Sequence, residues 1–298
     1  MRDHSVLLCL VLFGCMKSAS ASDTQPPDKP SNPVVVEISL DPLSEPYFDL
    51  ALFSNQQEPE PDDPLSENEE EAAGEGGAEG SNPLASVSKL DFVWTLTGLS
   101  GSQTHDVSVE GATMLHPKIK LVYEVHYFFT DITGSDEDNW ESIHIKPIWF
   151  PVDKKLSDEW MMRVAVGAEY IHSFDNVDQG IGFDSEIIAP LFGLAFAKPS
   201  QRLTLIPLVQ HFMSFQGTSV NLTAFRLIAL QSLPDSCWIK LDAKFLVDWH
   251  YETESMANEI EFGKMLNPNF GLFCTALFGV GNDRTLDWGV AVGVRFNF

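Results

Sequence analysis

Basic residues are scarce in this 298-residue chain, where 18 Lys and Arg stand against 43 Asp and Glu for a formal net charge of −25. A surface of that sign repels phosphate backbones, which makes nucleic acid a poor partner. Cysteine is scarce too, at four residues, and neither a Cys-x-x-Cys nor a His-x-x-x-His pattern occurs among the scattered histidines. No spaced metal signature is therefore present, and no cofactor is expected. A His-x-Ser pair of the kind a barrel-borne lipid hydrolase uses is absent, and His172-Ser173 and His211 with Ser214 do not replace it, so no catalytic residue is assigned. Long apolar runs are missing as well. The longest, Val6 to Phe13, is too short to cross a bilayer, and no other stretch approaches the roughly eighteen residues a helix needs. A helical membrane protein is excluded. Mean hydropathy is nonetheless near neutral, at −0.04, the value expected when apolar and polar positions alternate along strands.

What is present begins with an N-terminus built for export. Arg2, the apolar run Val6 to Phe13 and the small residues Ala19-Ser20-Ala21 make a secretory signal over 1–21, with the mature chain starting at Ser22. Leu12-Phe13-Gly14-Cys15 also makes a loose lipoprotein box, which would lipidate Cys15 instead. Residues 22–84 carry sixteen acidic residues and one Lys, leaving about −11 for 85–298. Rich in Pro, Glu, Gly and Ser, this segment cannot bury enough apolar surface to offset the entropy of ordering, and it reads as a disordered acidic leader. Two islands within it, Val34–Ile38 and Tyr47–Phe53, read either as sticky linker or as docking motifs or a partial plug.

From Ser88 onward the chain divides into about twelve segments of roughly nine to fourteen residues, the length of a tilted membrane-crossing strand. The last is the clearest. Trp288, Val290, Val292, Val294, Phe296 and Phe298 fall on one face, and Gly289, Ala291, Gly293, Arg295 and Asn297 on the other. Side chains flip at every strand residue, so this segment is apolar outside and small or polar inside. Lys118 to Asp131 and Ile239 to Tyr251 repeat the pattern, with aromatics at their ends suited to interfacial girdles. The fold class is all-β: a closed antiparallel transmembrane barrel over 85–298. Ten or fourteen strands remain open where Ser88 to His116 and Gly180 to Lys198 alternate weakly.

The connections alternate too. Those holding His116-Pro117, Pro151 to Lys155, Lys198-Pro199-Ser200, Pro234-Asp235 and Asn267-Pro268-Asn269 fall at every second position and are assigned to the periplasmic side. Thr133 to Asp138, Asp175 to Ser185, Gln216 to Thr218, Glu252 to Asn258 and Gly279 to Arg284 are assigned outside. In these loops, Asp136-Glu137-Asp138 reads as weak Ca²⁺ binding or plain solvation, and Asp283, Arg284 and Asp287 as a solvated loop. Cys237 and Cys274 fall two strands apart, roughly 10 Å by strand spacing and beyond disulfide reach.

Charged residues on the inward face are the candidate functional positions: Lys118, Lys120, Glu124, His126, His144, Lys146, Arg163, Glu169, Lys240, Asp242, Lys244, Asp248, His250, Glu259, Glu261 and Arg295. Charges of both signs at lipid depth must face a lumen. They either set the selectivity of a pore or pair into a salt-bridge network that fills it.

The closing strand, with Phe296 and Phe298 outward, resembles the recognition strand of Gram-negative outer-membrane barrels, which their assembly machinery reads. The Leu233-Pro234-Asp235 turn, the Trp238 to Trp249 strand, Glu259 to Lys264 and Asp287 to Phe298 resemble the transport barrels associated with phenol-degradation and toluene-uptake pathways. That resemblance implies an outer-membrane, porin-like channel or uptake protein for small molecules by passive diffusion, with lipid and a small solute as partners. A structural or adhesive barrel with a filled interior is the alternative, and a lipid-acting membrane enzyme the third reading.

Overall fold

The computed structural model describes residues 81–298. The signal segment 1–21 and the leader as far as residue 80 lie outside the described residues. Twelve strands follow in chain order: β1 (Lys89–Leu99), β2 (Ser102–His116), β3 (Ile119–Thr130), β4 (Glu137–Lys155), β5 (Met161–Ser173), β6 (Ser185–Lys198), β7 (Leu203–Gly217), β8 (Asn221–Leu233), β9 (Cys237–Asp248), β10 (Thr253–Asn267), β11 (Phe270–Val280) and β12 (Trp288–Asn297). Each pairs antiparallel with the next, and β1 pairs with β12, so the sheet closes on itself and has no edge.

Alternation explains which side chains go where. In β12 the odd residues Gly289 to Arg295 are buried and the even ones face out, as the sequence pattern requires. The outer surface is apolar: Trp149, Leu227, Phe225 and Phe192 are each about half exposed, in a band continued by the even residues of β12. An unbroken apolar band of this kind is stable only against lipid or another apolar surface. Among the described residues no helix is long and apolar enough to cross a membrane.

The two weakly alternating regions are strands nonetheless. β6 reads poorly because its inward residues Ile187, Ala189, Leu191, Ala195 and Ala197 are themselves apolar and buried, so both faces look alike. The Pro-bearing connections all lie at the end of the barrel that carries the N-terminus of β1 and the C-terminus of β12, here called the terminal end. Several boundaries shift. Pro151 to Lys155 belongs to β4, and the connection is Leu156–Trp160; Glu137 and Asp138 open β4; β10 begins at Thr253 rather than after Asn258.

Two glycines make room for large inward side chains at the terminal end. A Cβ at Gly263 would lie 2.0 Å from the Trp238 ring, and one at Gly293 2.2 Å from Phe273. Trp238 is fully buried on the opposing β9, so its indole lies flat over a wall that only glycine leaves bare.

Candidate functional site in the bore

The register of the ladder pairs opposite charges across strands. Lys240 lies opposite Glu261, and Asp91 opposite Arg295 across the closing seam between β1 and β12. Lys240 Nζ is 3.1 Å from Glu261, Lys244 Nζ donates to Glu259 at 2.7 Å, and Arg226 Nη2 donates to Asp242 at 2.5 Å. Arg295 grips Asp91 through Nε at 2.9 Å and Nη2 at 2.7 Å, and its guanidinium lies 5.5 Å from the Trp238 ring centre and 5.0 Å from that of Phe273. Such pairs offset the desolvation of their members and add little net stability, but breaking one leaves an uncompensated charge.

A second cluster sits nearer the loop end. Glu169 accepts from Gln210 at 2.5 Å, and lies 2.9 Å from both His144 Nδ1 and Lys146 Nζ. His126 is 2.9 Å from Asp106 and 3.4 Å from Glu124, with its ring centre 5.2 Å from that of His144. A β-bulge opposite His126 turns Glu141 inward beside Ser142, so two consecutive residues are buried.

Ser142 Oγ lies 2.9 Å from His144 Nε2, and His144 Nδ1 2.9 Å from Glu169, a line of hydroxyl, imidazole and carboxylate. In hydrolases that line activates the hydroxyl. Here Ser142 Oγ also lies against Glu141 Oε2, and Glu169 is shared with Lys146 and Gln210. Sequence reasoning missed this trio because it sought His-x-Ser, whereas Ser142-Ile143-His144 places the same two groups on one face in the reverse order.

Most of the inward candidates are buried in the bore: Lys120, Glu124, His126, His144, Lys146, Arg163, Glu169, Lys240, Asp242, Lys244, Glu259, Glu261 and Arg295. Three are not. Lys118 is exposed in the tight β2–β3 turn, where its N–H donates to His116 Nδ1 at 3.2 Å and β3 starts only at Ile119. His250 is exposed beyond β9, because Asp248 Oδ1 accepts the N–H groups of His250 and Tyr251 and folds the chain into a turn that ends the alternation. Asp248 itself is half-buried at that rim. The bore also holds buried Lys89, Asp91, Glu110, Glu141, Gln210 and Arg226, which the sequence reading passed over. Lys89 and Asp91, two apart, were the available signal in β1; Arg226 was another, between Ala224 and Ile228 on one face of β8.

An unanticipated feature crosses the bore. Ser81, Leu84 and Ala85 have no exposed surface and Asn82 almost none, although Ser81–Leu84 reads in the sequence as the end of the leader. Asn82-Pro83-Leu84-Ala85 forms a turn: Pro83 presets its φ, and Asn82 Oδ1 accepts the Leu84 N–H at 3.1 Å. Ser81 Oγ accepts from Arg295 at 2.6 Å and donates to Glu261, while Arg163 donates to Leu84 O and Lys120 to Ala85 O at 3.1 Å. Those partners sit on β10 and β12 at one end of the strap and on β3 and β5 at the other, three to five strands away around the ring of twelve. Leu84 and Ala85 pack against inward apolar residues including Ile148, Phe150, Leu191, Ile206 and Ile228. Ser81–Ala85 is therefore a strap across the bore.

Five cations form a collar at this level, each within four residues of the terminal end of its strand: Lys89, Lys120, Arg163, Lys240 and Arg295. Asp91, Asp153 and Glu261 are carboxylates at the same height, Asp153 2.5 Å from Arg163 and Glu261 3.1 Å from Lys240. Among the described residues no group of three or more His, Cys, Asp or Glu is arranged to hold a metal. A recess of about 280 Å³ lies at the loop end, lined by Asp175 and Asp184 of the β5–β6 connection and by the adjoining ends of β5, β6 and β7, Gln216 among them. Loop residues tie the rim together as well. Asp287 accepts from the Ser100 N–H at 3.0 Å and from Arg284 at 2.5 Å, and these bonds hold its carboxyl below the usual range. Cys237 and Cys274 form no disulfide with each other.

The outward aromatics of the closing strand sit at the terminal rim. Phe296 contacts Phe270 and Phe92 with ring centres 5.3 and 6.2 Å apart, and the Phe298 N–H donates to Ser88 O at 3.0 Å.

No family model matches the chain, and no curated protein matches its sequence. Solved structures do. The NanC porin in a rhombohedral crystal form aligns with a TM-score of 0.50 at 11% identity, covering 70% of this chain and all of that one. The KdgM porin aligns at 0.45 and 9%, covering 70% and 99%. Outer membrane phospholipase A from Escherichia coli aligns at 0.43 and 12%, covering 70% and 92%. At such identities the likeness is one of fold.

Proposed function

We propose that the protein is an outer-membrane, porin-like channel through which small solutes pass by diffusion. The observation that carries this reading is the closed barrel itself, apolar toward its surroundings and ionisable within, the division a strand wall needs between lipid and water. The NanC likeness supports it at the level of fold. In this reading the terminal end faces the periplasm, lipid and solute are the partners, and Phe298 closes the strand that the assembly machinery reads. Replacing Phe298 with Glu then lowers the amount of folded protein, measured by heat-modifiable gel mobility; unchanged levels would remove that role.

Planar-bilayer recording tests the transport reading directly. Discrete conductance steps, with liposome uptake falling as solute size grows, are the expected result. Absence of current both from the full chain and from a chain beginning at Ser86 would overturn it.

A second reading, a structural barrel with a filled interior, is favoured by one observation: the strap and ion pairs occupy the bore. We read the protein as having no enzymatic activity: the Ser142 hydroxyl is shared between Glu141 and His144, and Glu169 is shared with Lys146 and Gln210.

A further inference from the structure

We propose that Asp106, Glu110 and Glu124 form a cation site on the bore side of β2 and β3, which takes the ammonium head of a small primary amine entering from the loop end. As a statement of solute class it rests on the channel reading; as a binding site it does not.

The ladder register produces the site. Glu110 lies directly opposite Glu124, with Asp91 on its other side, so three inward carboxylates share one height on β1, β2 and β3. Like charges placed directly opposite each other repel. Asp91 is answered by Arg295 and Lys89. Among the described residues, neither Glu110 nor Glu124 forms an ion pair with Lys or Arg. Their neutral neighbours are already committed: Ser108 Oγ donates to Glu110 Oε1 at 3.1 Å, and His126 lies between Asp106 at 2.9 Å and Glu124 at 3.4 Å. One imidazole, whatever its protonation, leaves the carboxylates of Asp106, Glu110 and Glu124 in excess.

The other oxygen of each carboxylate points to a ligand independently. Asp106 Oδ1, Glu110 Oε2 and Glu124 Oε1 accept no hydrogen bond, although Glu110 is only 7% exposed and Glu124 is fully buried. A buried carboxylate oxygen without a donor carries its full desolvation penalty. A donor that is itself a cation relieves both the penalty and the repulsion. No group of three or more His, Cys, Asp or Glu among the described residues is arranged to hold a metal, which would draw its oxygens in to about 2.0–2.6 Å. An ammonium asks for less, since its three donors reach acceptors at about 2.7–2.9 Å in separate directions. The three oxygens have almost no accessible surface, which leaves no room for a hydration shell or for methyl groups on the nitrogen.

The approach is graded in the same sense. Asp106 is the member nearest the loop end, and its side chain is 13% exposed against 1% for Glu124. The connections at the loop end hold eight carboxylates, Asp131, Asp175 and Asp184 among them, with Arg284 as their one Lys or Arg. A mouth of one sign raises the local concentration of cations.

Calorimetry on the full chain in detergent, with methylammonium chloride titrated into a matched tetramethylammonium chloride background, tests the site. Saturable methylammonium binding is expected, weakened at least about tenfold in Glu110→Gln, where the charge-assisted bond is lost. Methylammonium should also raise the urea midpoint of the unaltered chain above its value in tetramethylammonium, and leave that of Glu110→Gln/Glu124→Gln unmoved. No saturable binding by the unaltered chain, or a response kept by the double variant, would overturn the site. An equal response to potassium chloride would overturn the choice of a primary amine. Reversal potentials in a methylammonium chloride gradient test the link to transport: a preference for the cation is expected, and no preference would overturn the solute class. If methylammonium binds and the protein carries no current, the channel reading fails and the site stands.

Discussion

Around the ring of strands the inward side chains change character. On β9, β10, β12 and β1 they are ion pairs: Lys240 with Glu261, Lys244 with Glu259, Arg295 with Asp91. Across the terminal halves of β4 to β8 they are aliphatic and aromatic, Ile148, Phe150, Leu191, Ile206 and Ile228, with Leu84 of the strap laid over them. One sector presents groups that must be matched one to one, while the other presents area. Stability is therefore held in two ways within one lumen, and each predicts a different response to mutation.

The sharpest separation comes from Arg226→Met, which leaves Asp242 buried without its guanidinium and should cost about 3–5 kcal/mol. Adding Asp242→Leu should return most of that loss. In the apolar sector no such rescue exists: Leu84→Ala should cost about 3 kcal/mol, by lost transfer energy and an unfilled space. Unfolding transitions in urea, followed by tryptophan fluorescence, measure both. If the double variant were no better than Arg226→Met, the charged sector would not be a set of matched pairs.

The outer surface supplies the next contrast. Val292→Arg places a cation on the lipid face of β12 and should cost about 2–4 kcal/mol if it lies near mid-bilayer, whereas Ala291→Ser, one residue away and inward, should be nearly silent. Equal losses would mean that the two faces are misassigned. The smallest effect concerns the rim. Asp287 ionises below the usual carboxylate range because it accepts from Ser100 and Arg284. Its tie between two loops is complete above the ordinary carboxylate pKa of about 3.9 and is lost as pH falls through the lower folded value. A ¹³C-carboxyl titration of Asp287 should show a midpoint below the ordinary carboxylate value of about 3.9; a midpoint at or above it would break the tie.

The period of two placed the barrel and most of its inward charges, because a strand buried on one side writes its orientation into every second residue. Lys240 to Lys244 and Glu259 to Glu261 were legible for that reason. The rule fails where both faces share a chemistry, as in β6, and where a strand ends, as at Lys118 and His250. It is silent about the strap, whose Asn82-Pro83-Leu84-Ala85 reads as an ordinary turn. Only the far wall of the lumen makes Leu84 a core residue, and that wall comes from strands more than sixty residues away in the chain.

Arg295 touches Asp91 and Ser81, partners separated from it by 204 and 214 residues. Contacts of such separation form late, since the whole intervening chain must be confined first. Ser81 gains its guanidinium only once the final strand is in place, so one arginine records, in a single event, that the ring is complete and its interior has been crossed.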